Sequence, residues 1–126
     1  MRKKDKKYLI HLAGRPYYCP VEVALDVIGG KWRGVIVWYL QEGPLRFSEL
    51  KQCITTVSEK VLIRELRALE AAGLVTRTVY PQVPPKVEYD LSAFGKTLRP
   101  LLAQVSQFGE AYAAAFGQVR AQGDVS

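Results

Sequence analysis

The residues best suited to chemistry lie between positions 58 and 67. There Ser58, Glu59, Lys60, Ile63, Arg64 and Arg67 surround a series of leucines, Leu62, Leu66 and Leu69. Leucines three and four residues apart share one side of an α-helix, so the opposite side offers cations, a carboxylate and one aliphatic branch. That set suits the edge of a DNA duplex. Arginine grips guanine through two parallel hydrogen bonds, and an aliphatic group packs on the thymine methyl. On this reading Arg64 reads guanine and Ile63 meets a thymine methyl. Lys60 reads guanine or holds phosphate, Glu59 accepts from cytosine or repels phosphate, and Arg67, farther along, holds phosphate. The same charges would also make an ordinary solvated helix face, so their meaning depends on what positions them.

The flanking elements supply that setting. Residues 47–54 form a short amphipathic helix with Phe47, Leu50, Cys53 and Ile54 on one side. Thr55-Thr56-Val57 turns the chain, and Ser58 caps a longer helix over 58–72 by accepting a bond from a free amide of its first turn. Thr56-Val57-Ser58-Glu59 also fits a capping box, which leaves the start uncertain by two residues. Gly73 ends this helix. Two extended runs, 74–80 and 87–91, then flank Pro81-Gln82-Val83-Pro84-Pro85-Lys86 and read as a hairpin with a stiff, projecting tip. A short helix, a tight turn, a longer helix and a hairpin make a winged helix-turn-helix, the second helix of which enters the major groove. Arg46 and Ser48 then meet phosphate where the first helix of the pair crosses the backbone. Arg77 on the first strand and Lys86 at the tip neutralise phosphates beside it.

Upstream, residues 21–28 form a helix with Pro20 in its first turn, stopped by Gly29-Gly30. A second helix over 31–42 carries Trp32, Val35, Ile36 and Tyr39 at helical spacing, with Leu40 beside them. Gly34 interrupts it and suggests close packing or local flexibility. Ser92 caps the last helix, 93–119, where Pro100 predicts a kink or break near Arg99. The fold class is therefore mainly α with a small β wing.

Size and charge bound the rest. A chain of 126 residues has room for one domain that buries roughly two thirds of its surface without disulfides or metals. Of its eighteen Lys and Arg, six fall in the first fifteen residues beside a single acid, so residues 16–126 carry a net charge of only +1. The basic residues 1–15 read as a flexible tail that either contacts phosphate or stays solvated. Residues 16–119 form the domain, and 120–126 fray. Two cysteines 34 residues apart and a single histidine are neither a zinc framework nor a redox pair, and no metal or other cofactor is expected. With no signal peptide and no apolar run of membrane length, a cytoplasmic protein is expected, with no membrane partner.

Leu98, Leu101, Leu102, Val105, Phe108, Tyr112 and Phe116 line one side of the last helix. A domain this small does not readily cover them alone. A homodimer is the simplest solution, and folding back onto the first two helices is the alternative. A dimer would offer two recognition helices to half-sites roughly 34 Å apart. Enzyme chemistry has little support: paired carboxylates and a phosphate loop are absent, and Cys19 with His11 is the only nucleophile–base pair to weigh. A winged helix that binds protein instead of DNA is the other alternative.

Taken together, Cys19-Pro20-Val21-Glu22, Asp26-Val27-Ile28-Gly29-Gly30-Lys31-Trp32, Arg46-Phe47-Ser48-Glu49-Leu50 and Ser58-Glu59-Lys60-Val61-Leu62 resemble the HxlR family of bacterial winged-helix regulators, relatives of the MarR type. So do Leu66-Arg67-Ala68-Leu69-Glu70-Ala71-Ala72-Gly73-Leu74-Val75, Arg77-Thr78-Val79-Tyr80-Pro81 and Val83-Pro84-Pro85-Lys86-Val87-Glu88-Tyr89. The resemblance spans about residues 17–117. It implies a homodimer held by the first and last helices on a pseudo-palindromic operator, usually as a repressor and sometimes as an activator. Some members sense quinones, aldehydes or oxidants through a cysteine before Pro at the first helix, the place Cys19 occupies. A helix start favours thiolate, and Arg15 is close in sequence; a thiol packed quietly in the interface is the alternative. Glu59 and Ile63 stand where the family often has Gln and Thr, so no relative's operator is borrowed. Cys53 falls where the family usually has a small apolar residue, so the resemblance implies a core position for it. Lys86 replaces the usual Arg at the wing, and the basic tail exceeds the family's usual start.

Overall fold

The computed structural model describes residues 9–117. Most of the basic tail and the expected frayed end, 120–126, lie outside that range. The elements run β1 (Ile10–Leu12), β2 (Arg15–Tyr17), α1 (Pro20–Ile28), α2 (Arg33–Leu40), β3 (Leu45–Arg46), α3 (Phe47–Cys53), α4 (Glu59–Ala71), β4 (Val75–Tyr80), β5 (Lys86–Leu91) and α5 (Arg99–Phe116). This is the winged helix-turn-helix read from the sequence, with α3 and α4 as the helix pair and β4–β5 as the wing.

The core sits where α2, α3 and α4 converge. Ile36, Val37 and Leu40 of α2 meet Leu50, Ile54 and Val57 around the turn and Leu62, Leu66 and Leu69 of α4, and all nine are buried. Leu74, Val75, Leu91 and Leu102 close the cluster from the wing and from α5. Burying one such leucine stabilises the fold by roughly 1.5–3 kcal/mol relative to leaving it exposed. Of the residues expected to be apolar on α2, Ile36 and Leu40 are buried together with Val37, and Trp32 and Val35 are partly buried against the core, while Tyr39 stays substantially exposed, as does Trp38. A helix that is apolar on more than one side has two surfaces to cover, and the core takes only one of them.

Three features depart from the sequence reading. Residues 10–17, assigned largely to the tail, form an antiparallel hairpin with Leu12 opposite Arg15. Its two-residue turn places Ala13 at φ 52 and Gly14 at φ 75, the positive values such turns need. A short third strand, β3, joins the wing, with Leu45 opposite Tyr89 and Arg46 opposite Glu88. Cys53 is exposed, not core. On a two-turn helix the inward direction runs between Phe47, Leu50 and Ile54, and at about 100° per residue Cys53 falls on its edge.

The break expected near Arg99 takes the form of a 3-10 turn, Gly95–Leu98, followed by α5 with Pro100 in its first turn. Ser92 pins this junction. Its hydroxyl donates to the Gly73 carbonyl at 2.6 Å and accepts from the Gly95 amide at 2.9 Å. Gly95 lies so close to the Leu74 carbonyl that a Cβ there would collide with it. Gly34 has no such constraint, because the nearest atom to an added Cβ is the Ile28 carbonyl oxygen at 3.7 Å. Close packing within the protomer therefore does not explain it.

Candidate nucleic-acid interface

The geometry of α4 follows from its cap. The Ser58 hydroxyl accepts from the Val61 amide at 3.1 Å, which selects Ser58 over Thr56 as the start. With Leu62, Leu66 and Leu69 committed to the core, Glu59, Lys60, Ile63, Arg64 and Arg67 are all exposed. Lys60, Arg64 and Arg67 follow the i, i+4, i+7 spacing, so they form one row of cations roughly 10 Å long at 1.5 Å per residue.

Arg67 and Ile63 also border an open cleft of about 510 Å³ between α4 and the wing, with Arg77, Tyr89 and Val87 opposite and Phe47 at one end. The register explains why Arg77 belongs there. It pairs with Tyr89, and Val75 with Leu91; alternate residues of a strand share a face, so Arg77 lies on the face that carries buried Val75. Two arginines thus line one cleft, with Glu70 as the acid among its lining residues.

The other expected phosphate contacts are placed less directly. Ser48 is exposed in the first turn of α3. Arg46 is exposed as well, but as a β3 residue opposite Glu88 it lies on the sheet face away from Arg77. Its amide donates to the Glu49 carboxylate at 2.7 Å, which fixes the α3 start. Lys86 does not sit at the tip as expected. It opens β5 opposite Tyr80, with its ammonium 3.3 Å from Glu88 and 4.8 Å from the centre of the Tyr80 ring. The tip itself is Pro81 to Pro85, all exposed. Glu88 is held in its charged form, below the ordinary carboxylate range, chiefly by the Tyr80 hydroxyl and also by Lys86. A phosphate must therefore compete with a carboxylate for Lys86, whereas Arg77 makes no ion pair among the described residues.

One buried-side arrangement escaped the sequence reading. The Arg33 Nε donates to Glu65 Oε1 at 2.6 Å, and the other oxygen of that carboxylate lies 3.3 Å from Arg64 Nε. Arg33 Nη1 also donates to the Asp26 carbonyl at 3.1 Å. The Arg33 contact is the main reason Glu65 titrates below the ordinary glutamate range. Thirty-two residues separate Arg33 from Glu65, so no local spacing signals the pair.

Cys19 is exposed and occupies the position just before α1, where its carbonyl accepts the Glu22 amide at 3.0 Å. Arg15 is not its partner. The guanidinium pairs with Asp26 at 2.8 Å, and Asp26 also accepts from the Tyr17 hydroxyl at 2.7 Å. His11 lies in β1 opposite Pro16, and among the described residues no hydrogen bond joins it to Cys19. Among the same residues no cluster of His, Cys, Asp and Glu has the form of a metal site, and no helix is long and apolar enough to cross a membrane.

Apolar side chains remain uncovered on the two terminal helices, α1 and α5. α1 buries none of its residues, and Val21 and Leu25 are exposed on it. On α5 only Leu102 is buried, while Phe108, Tyr112 and Phe116 are 69%, 57% and 77% exposed. Their rings form a ladder, with centroids 6.0 Å and then 4.8 Å apart. Leu98 and Leu102 of the expected stripe pack on the core, whereas Leu101, Val105, Phe108, Tyr112 and Phe116 stay exposed.

Residues 27–116 match a family described as HxlR-like helix-turn-helix. The chain is 48% identical over 99 residues to the uncharacterized HTH-type transcriptional regulator YkvN of Bacillus subtilis, spanning 79% of this chain and 84% of that one. Its fold is similar to the redox regulator HypR in its oxidized form, with a TM-score of 0.71 at 48% identity over 74% of this chain and 96% of that one. It is also similar to diamide-treated YodB from B. subtilis, with a TM-score of 0.62 at 35% identity over 80% and 97% of the two chains.

Proposed function

The chain belongs to the HxlR-like helix-turn-helix family, and from that premise we propose that it represses transcription as a homodimer on a pseudo-palindromic operator. It is a DNA-binding transcriptional regulator and not an enzyme. The observation that carries the proposal is the exposed row of Lys60, Arg64 and Arg67 on a helix whose other side is locked into the core. Arg64 reads guanine and Ile63 a thymine methyl. Lys60 and Glu59 complete the base-facing side. Ser58, Arg67, Arg77, Ser48 and Arg46 position the backbone, and Lys86 contributes once released from Glu88.

Footprinting on the DNA upstream of the protein's own gene locates the operator, and a salt titration then tests the mode of binding. The logarithm of affinity should fall linearly with the logarithm of salt, by about 0.9 for each phosphate neutralised. Arg77→Ala is expected to weaken operator and unrelated DNA alike and to reduce that slope by about one for each copy in contact. A flat salt response would favour a winged helix that binds protein.

A second layer concerns Cys19. Its exposure before α1 and the likeness to a redox regulator and to a diamide-treated protein support a response to oxidants or electrophiles through this thiol. Since Cys53 is exposed too, both substitutions are needed. Diamide or a quinone should release wild-type protein and Cys53→Ser from the operator and leave Cys19→Ser bound. Release of Cys19→Ser would remove this thiol from the mechanism.

A further inference from the structure

An arginine on an open helix face is a poor reader of bases unless something aims it. Its long side chain gives up rotamer freedom when fixed, and a loose guanidinium meets any phosphate as readily as a guanine. The neighbourhood of Arg64 supplies the restraint. Glu65 is next to it in the chain and points about 100° around the helix, on the flank between the exposed row and the core, with a side chain only 13% exposed against 66% for Arg64. The carboxylate is itself fixed. One oxygen accepts from Arg33 Nε at 2.6 Å, and Arg33 is held in turn by the Asp26 carbonyl at 3.1 Å. The remaining oxygen lies 3.3 Å from Arg64 Nε.

We propose that Glu65, locked to α2 by Arg33, is a positioning residue for base recognition: it holds Arg64 by Nε and leaves the two terminal amino groups of the guanidinium directed at the duplex. The inference rests on reading Arg64 as the guanine contact. The chemistry fits that task, since a bidentate grip on guanine is satisfied by the two terminal nitrogens while Nε stays with the carboxylate. Glu65 also ties α4 to α2 through Arg33, a structural role that would show in stability, so the positioning role has to show in discrimination between sequences.

The test measures the ratio of operator affinity to affinity for unrelated DNA of the same length, with a thermal melt of each variant beside it. Glu65→Gln keeps the shape and one acceptor but removes the charge. It is expected to leave unrelated DNA as tightly bound as before or tighter, and to lower the ratio about tenfold, the lower end of what one bidentate base contact contributes. Arg33→Gln, which unties Glu65 without touching α4, should lower the ratio in the same direction, and it decides the matter if Glu65→Gln fails to fold. Neither change should lower the ratio further once Arg64 is alanine. A folded Glu65→Gln or Arg33→Gln with an unchanged ratio would overturn the positioning role, and so would a further loss in the Arg64→Ala background. If Arg64→Ala itself keeps the full ratio, the reading of Arg64 is what fails.

Discussion

Tyr112→Asp is expected to yield a monomer that binds the operator about a thousandfold more weakly, approaching the affinity for unrelated DNA. Tyr112 stands in the middle of the aromatic ladder of α5, tilted against Phe116 at 4.8 Å and flanked by Phe108 at 6.0 Å. In the isolated protomer it is more than half exposed, so a carboxylate there stays in water and leaves the core untouched. In a dimer closed through α1 and α5 the same carboxylate would be buried among apolar rings without a partner, at a cost of several kcal/mol per charge. Two-fold symmetry applies that cost twice. Losing the dimer then separates the two recognition helices, and a single half-site retains little beyond the sequence-independent phosphate term. Sedimentation equilibrium and operator binding on the same sample check both halves. A Tyr112→Asp dimer with full affinity would show that the exposed faces of α1 and α5 are covered by something other than a second copy.

The parts of this molecule that were legible in the sequence are those set by local rules. Leu62, Leu66 and Leu69 repeat at helical spacing, Ser58 caps the helix that carries them, Gly73 stops it, and two alternating runs flank a proline-rich tip. Each signal lies within a window of a few residues and agrees with its neighbours. What escaped depends on partners distant in sequence or on weak local cues. β3 is two residues long and exists because β5 offers it an edge, so no run of its own announces it. The β1–β2 hairpin turns on Ala13-Gly14, a weaker signal than Asn-Gly, and a basic, polar start suggested disorder instead. Cys53 has an apolar character that suits a core, but the helix bearing it is too short to bury a third direction. The tie between Arg33 and Glu65 joins two helices that meet only through the fold. The same limit applied to Lys86. Its position in sequence suggested the wing tip, whereas the register with Tyr80 and the Glu88 carboxylate draw it back onto the sheet.

Arg64→Ala carries the sharper test of recognition itself. A lost bidentate contact to guanine removes about 1–3 kcal/mol of discrimination. The residue occurs once per half-site, so a symmetric dimer should lose roughly twice that on its operator, while affinity for unrelated DNA falls only by the single charge removed from each copy. The fold should be unaffected. Arg64 is exposed, its one ion pair among the described residues is with Glu65 at 3.3 Å, and Glu65 keeps its shorter bond to Arg33 at 2.6 Å. The substitution should also relax base preference at one position in each half-site and leave the others intact, because a base contact acts locally whereas a phosphate contact weakens every sequence equally. Arg67→Ala provides the contrast within the same row: it borders the cleft with Arg77 and should flatten the salt dependence without altering preference. Binding to a set of operators with single base-pair changes distinguishes the two patterns. If Arg64→Ala and Arg67→Ala gave the same profile, α4 would be gripping the backbone along its length and specificity would have to come from the shape of the DNA.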